Sequence, residues 1–154
     1  MLYLSWQLEP VLLGGIVTAA VAYYLAIGPL RSRLAPKEPY PKTHAIVFGL
    51  GMLLLFVNEG SPLHDLAERY LLSAHMVQHL LLSYLIAPII LAGIPTWLMR
   101  VVLLGRLESV SRVVLRPVVT FLTFSLVMAV YHVPAIYDLA LANTSFHHAV
   151  HFLI

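Results

Sequence analysis

The feature that most constrains this chain is a series of long apolar segments with almost no charge inside them. Of its 154 residues, 60% are hydrophobic and 10% are charged, whereas a soluble domain carries roughly a quarter charged residues. A helix needs about 20 predominantly apolar residues to cross the hydrocarbon core of a bilayer. The sequence therefore predicts an all-α fold, a polytopic transmembrane helix bundle whose main partner is the lipid bilayer.

The apolar segments predict four complete spans and the beginning of a fifth. The predicted spans are 9–30, 43–58, 71–94, 117–132 and, incomplete, 145–154. Pro88 predicts a kink in the third span, because proline has no N–H and its ring crowds the preceding turn. We expect one membrane domain over residues 1–154, with the chain truncated within the fifth span.

The basic residues predict the orientation of these spans. Eight of the nine lie in two loops, between spans one and two and between spans three and four: Arg31, Arg33, Lys37, Lys42, Arg100, Arg106, Arg112 and Arg116. The positive-inside rule places both loops in the cytoplasm, which requires two crossings between them and supports the short second span. The N-terminus and the 58–70 loop are then outside. Residues 100–116 mix arginine with Val and Leu and predict an amphipathic helix on the inner surface.

On this topology, seven of the eight histidines fall at the outer end of the spans, and only His44 lies inside. His75 and His79 are four residues apart, as are His147 and His151, so each pair shares one helix face. Imidazole is the commonest neutral metal ligand. The sequence predicts a metal-binding cluster at the outer face, formed by His75, His79, His132, His147, His148 and His151. For the His75/His79 pair alone, a hydrogen bond between helices is an equally good interpretation.

The residue types narrow the chemistry without fixing the metal. All-imidazole sites suit zinc, copper, iron or nickel, and affinity favours copper over zinc. Asp138 is either a proton acceptor for a ligand imidazole or a solvated loop charge. Gln78 faces away from His79 and is a candidate for a hydrogen bond between helices. There is no cysteine, and we find no nucleophile–base arrangement, no carboxylate pair in a span and no basic–aromatic surface. These features argue against an enzyme and against nucleic-acid binding.

Three motifs, in this order, resemble the multi-spanning CtaG-like cytochrome c oxidase assembly factors. They are HMVQHLLL at 75–82, YHVPAIYDLAL at 131–141 and FHHAVHFL at 146–153. The resemblance implies a bacterial plasma-membrane protein that helps to mature a haem–copper oxidase of the caa type. It implies copper handling at the outer face, with oxidase subunits as partners and the six histidines of the predicted cluster as the family histidines. Two features depart from the family pattern. The pattern leads us to expect Trp at position 131, where this chain has Tyr131, and further spans after the fifth.

Two other functions remain compatible with the histidines. A b-type haem electron carrier could use one histidine from each of two facing helices, although haem binding does not account for the pairs four residues apart. A transporter of metal ions or protons would place ionisable residues near the bilayer midplane, whereas these histidines crowd one end of the spans. The sequence does not indicate the oligomeric state.

Overall fold

The fold is known from a computed structural model, which describes residues 6, 8–103, 114 and 116–136. Over these ranges the regular structure is entirely helical, so the predicted all-α class is confirmed. The chain separates into two compact units, Met1–Val102 and Leu103–Ile154. The prediction of a single membrane domain stays a prediction, and the fifth span lies outside the described residues.

The first unit holds most of the described helices. They are α1 (Pro10–Ile27), α2 (Arg31–Leu34), α3 (Lys42–Gly60), α4 (Pro62–Arg69), α5 (Leu72–Leu81), a π-helical segment (Leu82–Ile86), α6 (Ala87–Ala92) and α7 (Thr96–Leu103), whose last residue belongs to the second unit. The second unit contains α8 (Pro117–Tyr131). α8 begins with a proline at its first position and ends immediately before His132.

Three helical segments are long and apolar enough to cross a membrane. They are Pro10–Ile27, Lys42–Gly60 and Leu72–Ala92, with 18, 19 and 21 residues. At 1.5 Å per residue they span about 27–32 Å, which matches the thickness of the hydrocarbon core. These segments correspond to the first three predicted spans, and the second is longer than the sequence indicated. α8 is a shorter apolar helix, and the orientation of the spans stays a prediction.

The third of these segments passes through Pro88 by way of a π-helical turn. Pro88 lies at the start of α6, directly after the π segment Leu82–Ile86. Proline cannot donate to the carbonyl four residues earlier, and its ring crowds that carbonyl. A π turn widens the helix locally and accommodates such a defect. The irregularity expected at Pro88 therefore takes this form.

One of the regions between the spans is more ordered than the sequence indicated. The predicted outer loop 58–70 contains α4, which begins at Pro62 after Ser61, whose hydroxyl accepts a hydrogen bond from the Leu63 N–H at 3.3 Å. Serine before a helix and proline at its first position are both favoured start signals. The predicted surface helix 100–116 overlaps the end of α7, and residues 104–113 lie outside the described part of the chain.

The core of the first unit lies where α1, α3, α6 and α7 meet. Its buried members are Tyr23, Ile27, Ala45, Phe48 and Leu98. The Tyr23 and Phe48 rings stack with centroids 3.8 Å apart, and the Tyr23 hydroxyl donates to the Gly93 carbonyl at 2.6 Å. α3 and α6 approach closely where Gly51 faces Ile90 and Gly93 faces Phe48. Small residues allow such close contact between membrane helices, and this contact fixes α3 beside the segment that continues from α5.

Candidate metal centre

The candidate centre is the histidine pair of α5. His75 and His79 lie one turn apart, and their Nε2 atoms are 2.8 Å from each other. The ring centroids are 4.4 Å apart with an edge-to-face angle of 83°. The predicted shared face is therefore confirmed, and the bond between the two rings lies within one helix. Two nitrogens that could bind a metal thus point to the same place.

Both imidazoles are buried inside the first unit. His75 is 2% exposed and His79 is 7% exposed. α5 packs against α4 and α3, and the outward face of α5 is apolar, with Leu72, Val77 and Leu80 all exposed. The histidine face of the helix is consequently turned toward protein. Burying polar side chains in a membrane helix costs free energy, so a buried polar face of this kind indicates a binding or structural role.

Further polar side chains are buried at the same end of the unit, between the last turn of α3 and the first turns of α5. They are Asn58, Ser61, Asp65 and Gln78, all at most 9% exposed. The Gln78 Nε2 donates to the Asn58 carbonyl at 2.5 Å, and the Asn58 Nδ2 donates to Glu59 Oε1 at 2.8 Å. The bond of Gln78 to a neighbouring helix is the contact expected from the sequence. Sequence reasoning missed Asn58 and Asp65, and only Asn58, at the end of an apolar segment, carried a signal of burial.

In the second unit, His132 follows the last residue of α8. Its Nδ1 lies 2.7 Å from the Met128 carbonyl oxygen. A carbonyl only accepts, so Nδ1 carries the proton, and in the neutral ring Nε2 then carries the lone pair that a metal would use. This tautomer is assigned from the hydrogen-bond geometry. The membership of His132 in the predicted cluster stays a prediction.

Four predicted site residues are not described, and two histidines that were not predicted as ligands lie on α4 and α3. His147, His148, His151 and Asp138 lie outside the described residues. His64 is on α4, with its Nδ1 3.7 Å from Glu59 Oε2. His44 lies in the first turn of α3, about 20 Å along that helix from Asn58.

The fold and this pair define a class of protein: a polytopic membrane protein that carries two buried, adjacent imidazoles at one end of its helices. Comparison with protein families matches residues 21–154 to the family described as cytochrome c oxidase caa3 assembly factor. The chain belongs to this family, and the resemblance seen in its motifs is confirmed. Comparisons with curated proteins and with solved structures find no match.

Proposed function

We propose that the protein binds copper at its histidine pair and supplies it during maturation of a caa-type haem–copper oxidase. The observation that carries this proposal is the buried pair His75 and His79, with Nε2 atoms 2.8 Å apart, in a chain of an oxidase assembly factor family. The protein acts by binding and transfer, without catalysing a reaction. It works in the bacterial plasma membrane, where it contacts oxidase subunits.

The geometry of the pair fits a bound ion after a small adjustment. Two imidazole nitrogens on one tetrahedral ion, each about 2.0–2.1 Å from the metal, lie about 3.3 Å apart. Separating the Nε2 atoms of His75 and His79 by about half an ångström, through side-chain rotation, meets this requirement. Binding an ion also replaces the proton that the two nitrogens share in the metal-free pair.

Copper is favoured over other metals by its chemistry and by the client. Cu²⁺ binds nitrogen ligands more tightly than Zn²⁺ does in the general order of divalent metals, and the client oxidase contains copper. On sequence grounds the proposal includes His132, His147, His148 and His151 as further ligands. Asp138 is included as a hydrogen-bond acceptor for one of these imidazoles.

The test is a metal-binding measurement on detergent-purified protein. Copper and zinc content are determined after loading under reducing and oxidising conditions, for the parent chain and for a variant with His75→Ala and His79→Ala. We expect bound copper in the parent and its loss in the double variant. A His44→Ala variant is the matched control, because it removes an imidazole at the far end of α3 and should bind as much copper as the parent. Absence of copper from the parent, or equal copper in the double variant, would overturn the proposal.

The distance between the Nε2 atoms of His75 and His79 argues against haem bound between these two histidines. A porphyrin held by two axial histidines lies between their nitrogens, and a separation of 2.8 Å between the Nε2 atoms leaves no room for it. The alternative retains a role for a single histidine of the pair together with a histidine elsewhere. A visible spectrum of freshly prepared membranes distinguishes the two, because a haem carrier shows a Soret band.

A further inference from the structure

Gln78 connects the histidine-bearing helix to its neighbour by a buried hydrogen bond. Its Nε2 donates to the Asn58 backbone carbonyl at 2.5 Å, and the side chain is 6% exposed. Asn58 lies in the last turn of α3, which ends at Gly60. Carbonyls in the last turn of a helix have no partner within that helix. Gln78 therefore satisfies a carbonyl that would otherwise be buried without a donor.

Asn58 completes a reciprocal contact between the two helices. Its Nδ2 lies 3.5 Å from the Gln78 carbonyl, a weak hydrogen bond, and 2.8 Å from Glu59 Oε1. The carboxylate of Glu59 accepts only, so it fixes which end of the Asn58 amide faces it. We call this contact the Asn58–Gln78 bracket. It joins α5 to α3 at the level of the histidines.

The bracket acts on the direction in which the imidazoles point. Successive residues of an α-helix are about 100° apart around its axis, so His75 and His79 lie about 60° and about 100° from Gln78, both in the same direction around the axis. A bond from Gln78 to α3 consequently resists rotation of α5 about its axis. Rotation of α5 would move both Nε2 atoms together, away from any ligand on another helix.

We propose that Gln78 is a positioning residue for the metal pair, which it orients by holding α5 against the Asn58 carbonyl of α3. This inference rests on the proposed function and names a residue that does not touch the ion. Groups that orient metal ligands typically affect metal affinity 10–100-fold when they are removed. A residue that only stabilises the fold would instead lower thermal stability and leave the copper affinity of the folded protein nearly unchanged.

The test compares Gln78→Leu with Tyr23→Phe. Each variant removes one buried bond from a side chain to a backbone carbonyl in the first unit, of 2.5 Å and 2.6 Å respectively. Tyr23 belongs to the core at the opposite end of α3, near Phe48. The Cu(I) dissociation constant is measured in detergent by competition with a chromophoric chelator, and thermal unfolding is followed in parallel. We expect at least tenfold weaker binding in Gln78→Leu and less than a twofold change in Tyr23→Phe, with similar losses of thermal stability.

A second measurement needs no metal and separates this inference from the proposed function. Carbethoxylation of His75 and His79 by diethyl pyrocarbonate is followed by peptide mass spectrometry on metal-free protein. Because both rings are buried, we expect slow modification in the parent and in Tyr23→Phe, and several-fold faster modification in Gln78→Leu. If the parent binds no copper, the proposed function fails while this measurement still tests the bracket.

A third variant covers the case in which Gln78→Leu does not fold. Gln78→Asn keeps the amide but shortens the side chain by one methylene, so it does not reach the Asn58 carbonyl, and we expect the same two effects from it. Equal copper affinity and equal histidine reactivity in the parent and in either Gln78 variant would overturn the inference. So would a loss of affinity in Tyr23→Phe as large as in the Gln78 variants.

Discussion

Gly93 lies directly against the backbone of Phe48: a methyl group added at Gly93 would come within 2.6 Å of the Phe48 Cα. Gly93 follows the last residue of α6, and Phe48 is in the second turn of α3. In the hydrocarbon of a bilayer there is little hydrophobic driving force for helices to associate, so close packing at small residues contributes much of the attraction. This contact therefore anchors α6 to α3, and through the continuous segment Leu72–Ala92 it also limits where α5 can lie.

We expect Gly93→Ala to destabilise the first unit. The added methyl meets backbone atoms of Phe48, which cannot move without displacing α3, and overpacking of this kind costs about 1–3 kcal/mol. Thermal unfolding in detergent, followed by tryptophan fluorescence, should show a lower midpoint. Gly14→Ala on α1 is the control, because a Cβ there meets nothing within 4 Å, and alanine is the better helix former. An unchanged midpoint for Gly93→Ala would mean that the two helices are not in contact at this point.

The Tyr23 hydroxyl gives a second prediction about the same core. Tyr23→Phe keeps the ring that stacks on Phe48 but removes the donor to the Gly93 carbonyl. Hydrogen bonds between membrane helices contribute about 0.6 kcal/mol on average, with a maximum near 1.7, and we expect a loss in this range. The same unfolding measurement tests it. Tyr84→Phe is the matched control, since Tyr84 is 73% exposed, and its variant should unfold like the parent.

Ser61 gives a prediction about the short helix α4. Its hydroxyl accepts the Leu63 N–H at the start of the helix, so Ser61→Ala leaves that N–H without its partner at a cost of about 1 kcal/mol. Hydrogen exchange measured by mass spectrometry should be roughly fivefold faster for the backbone amides of residues 63–69, since local opening controls their exchange. Ser73→Ala is the control, because Ser73 is exposed on α5, where no side chain caps the helix start. Equal exchange in the two variants would show that Ser61 does not hold α4.

The membrane helices could be predicted because length and apolar character alone define a crossing segment. The same reasoning treated residues 58–70 as a loop, since a span is recognised by its lack of charge and α4 is too short and too polar to meet that condition. The π-helical turn before Pro88 was expected only as a kink. Its form depends on how the backbone around Tyr84 accommodates the hydrogen bond that Pro88 cannot donate, which the sequence does not specify.

In the candidate site, too, some features could be predicted from the sequence and others required the tertiary structure. The pairing of His75 and His79 follows from a spacing of four residues on one helix, and no tertiary information was needed. The partner of Gln78 is twenty residues away in the chain, and its identification required the packing of α5 on α3. Burial of Asp65 similarly depends on the presence of α4. The ligands predicted beyond the pair remain predictions from the sequence.

The two histidines of the pair should act as one site. If both Nε2 atoms bind the same ion, removing either imidazole eliminates the chelate. Removing the second imidazole then lowers the copper affinity little further. We therefore expect His75→Ala, His79→Ala and the double variant to lose similar amounts of copper affinity, a strongly non-additive result. Chelator competition on the three variants measures this, with His64→Ala as a control that leaves the pair intact. Losses that add in the double variant would indicate two independent imidazoles instead of one shared site.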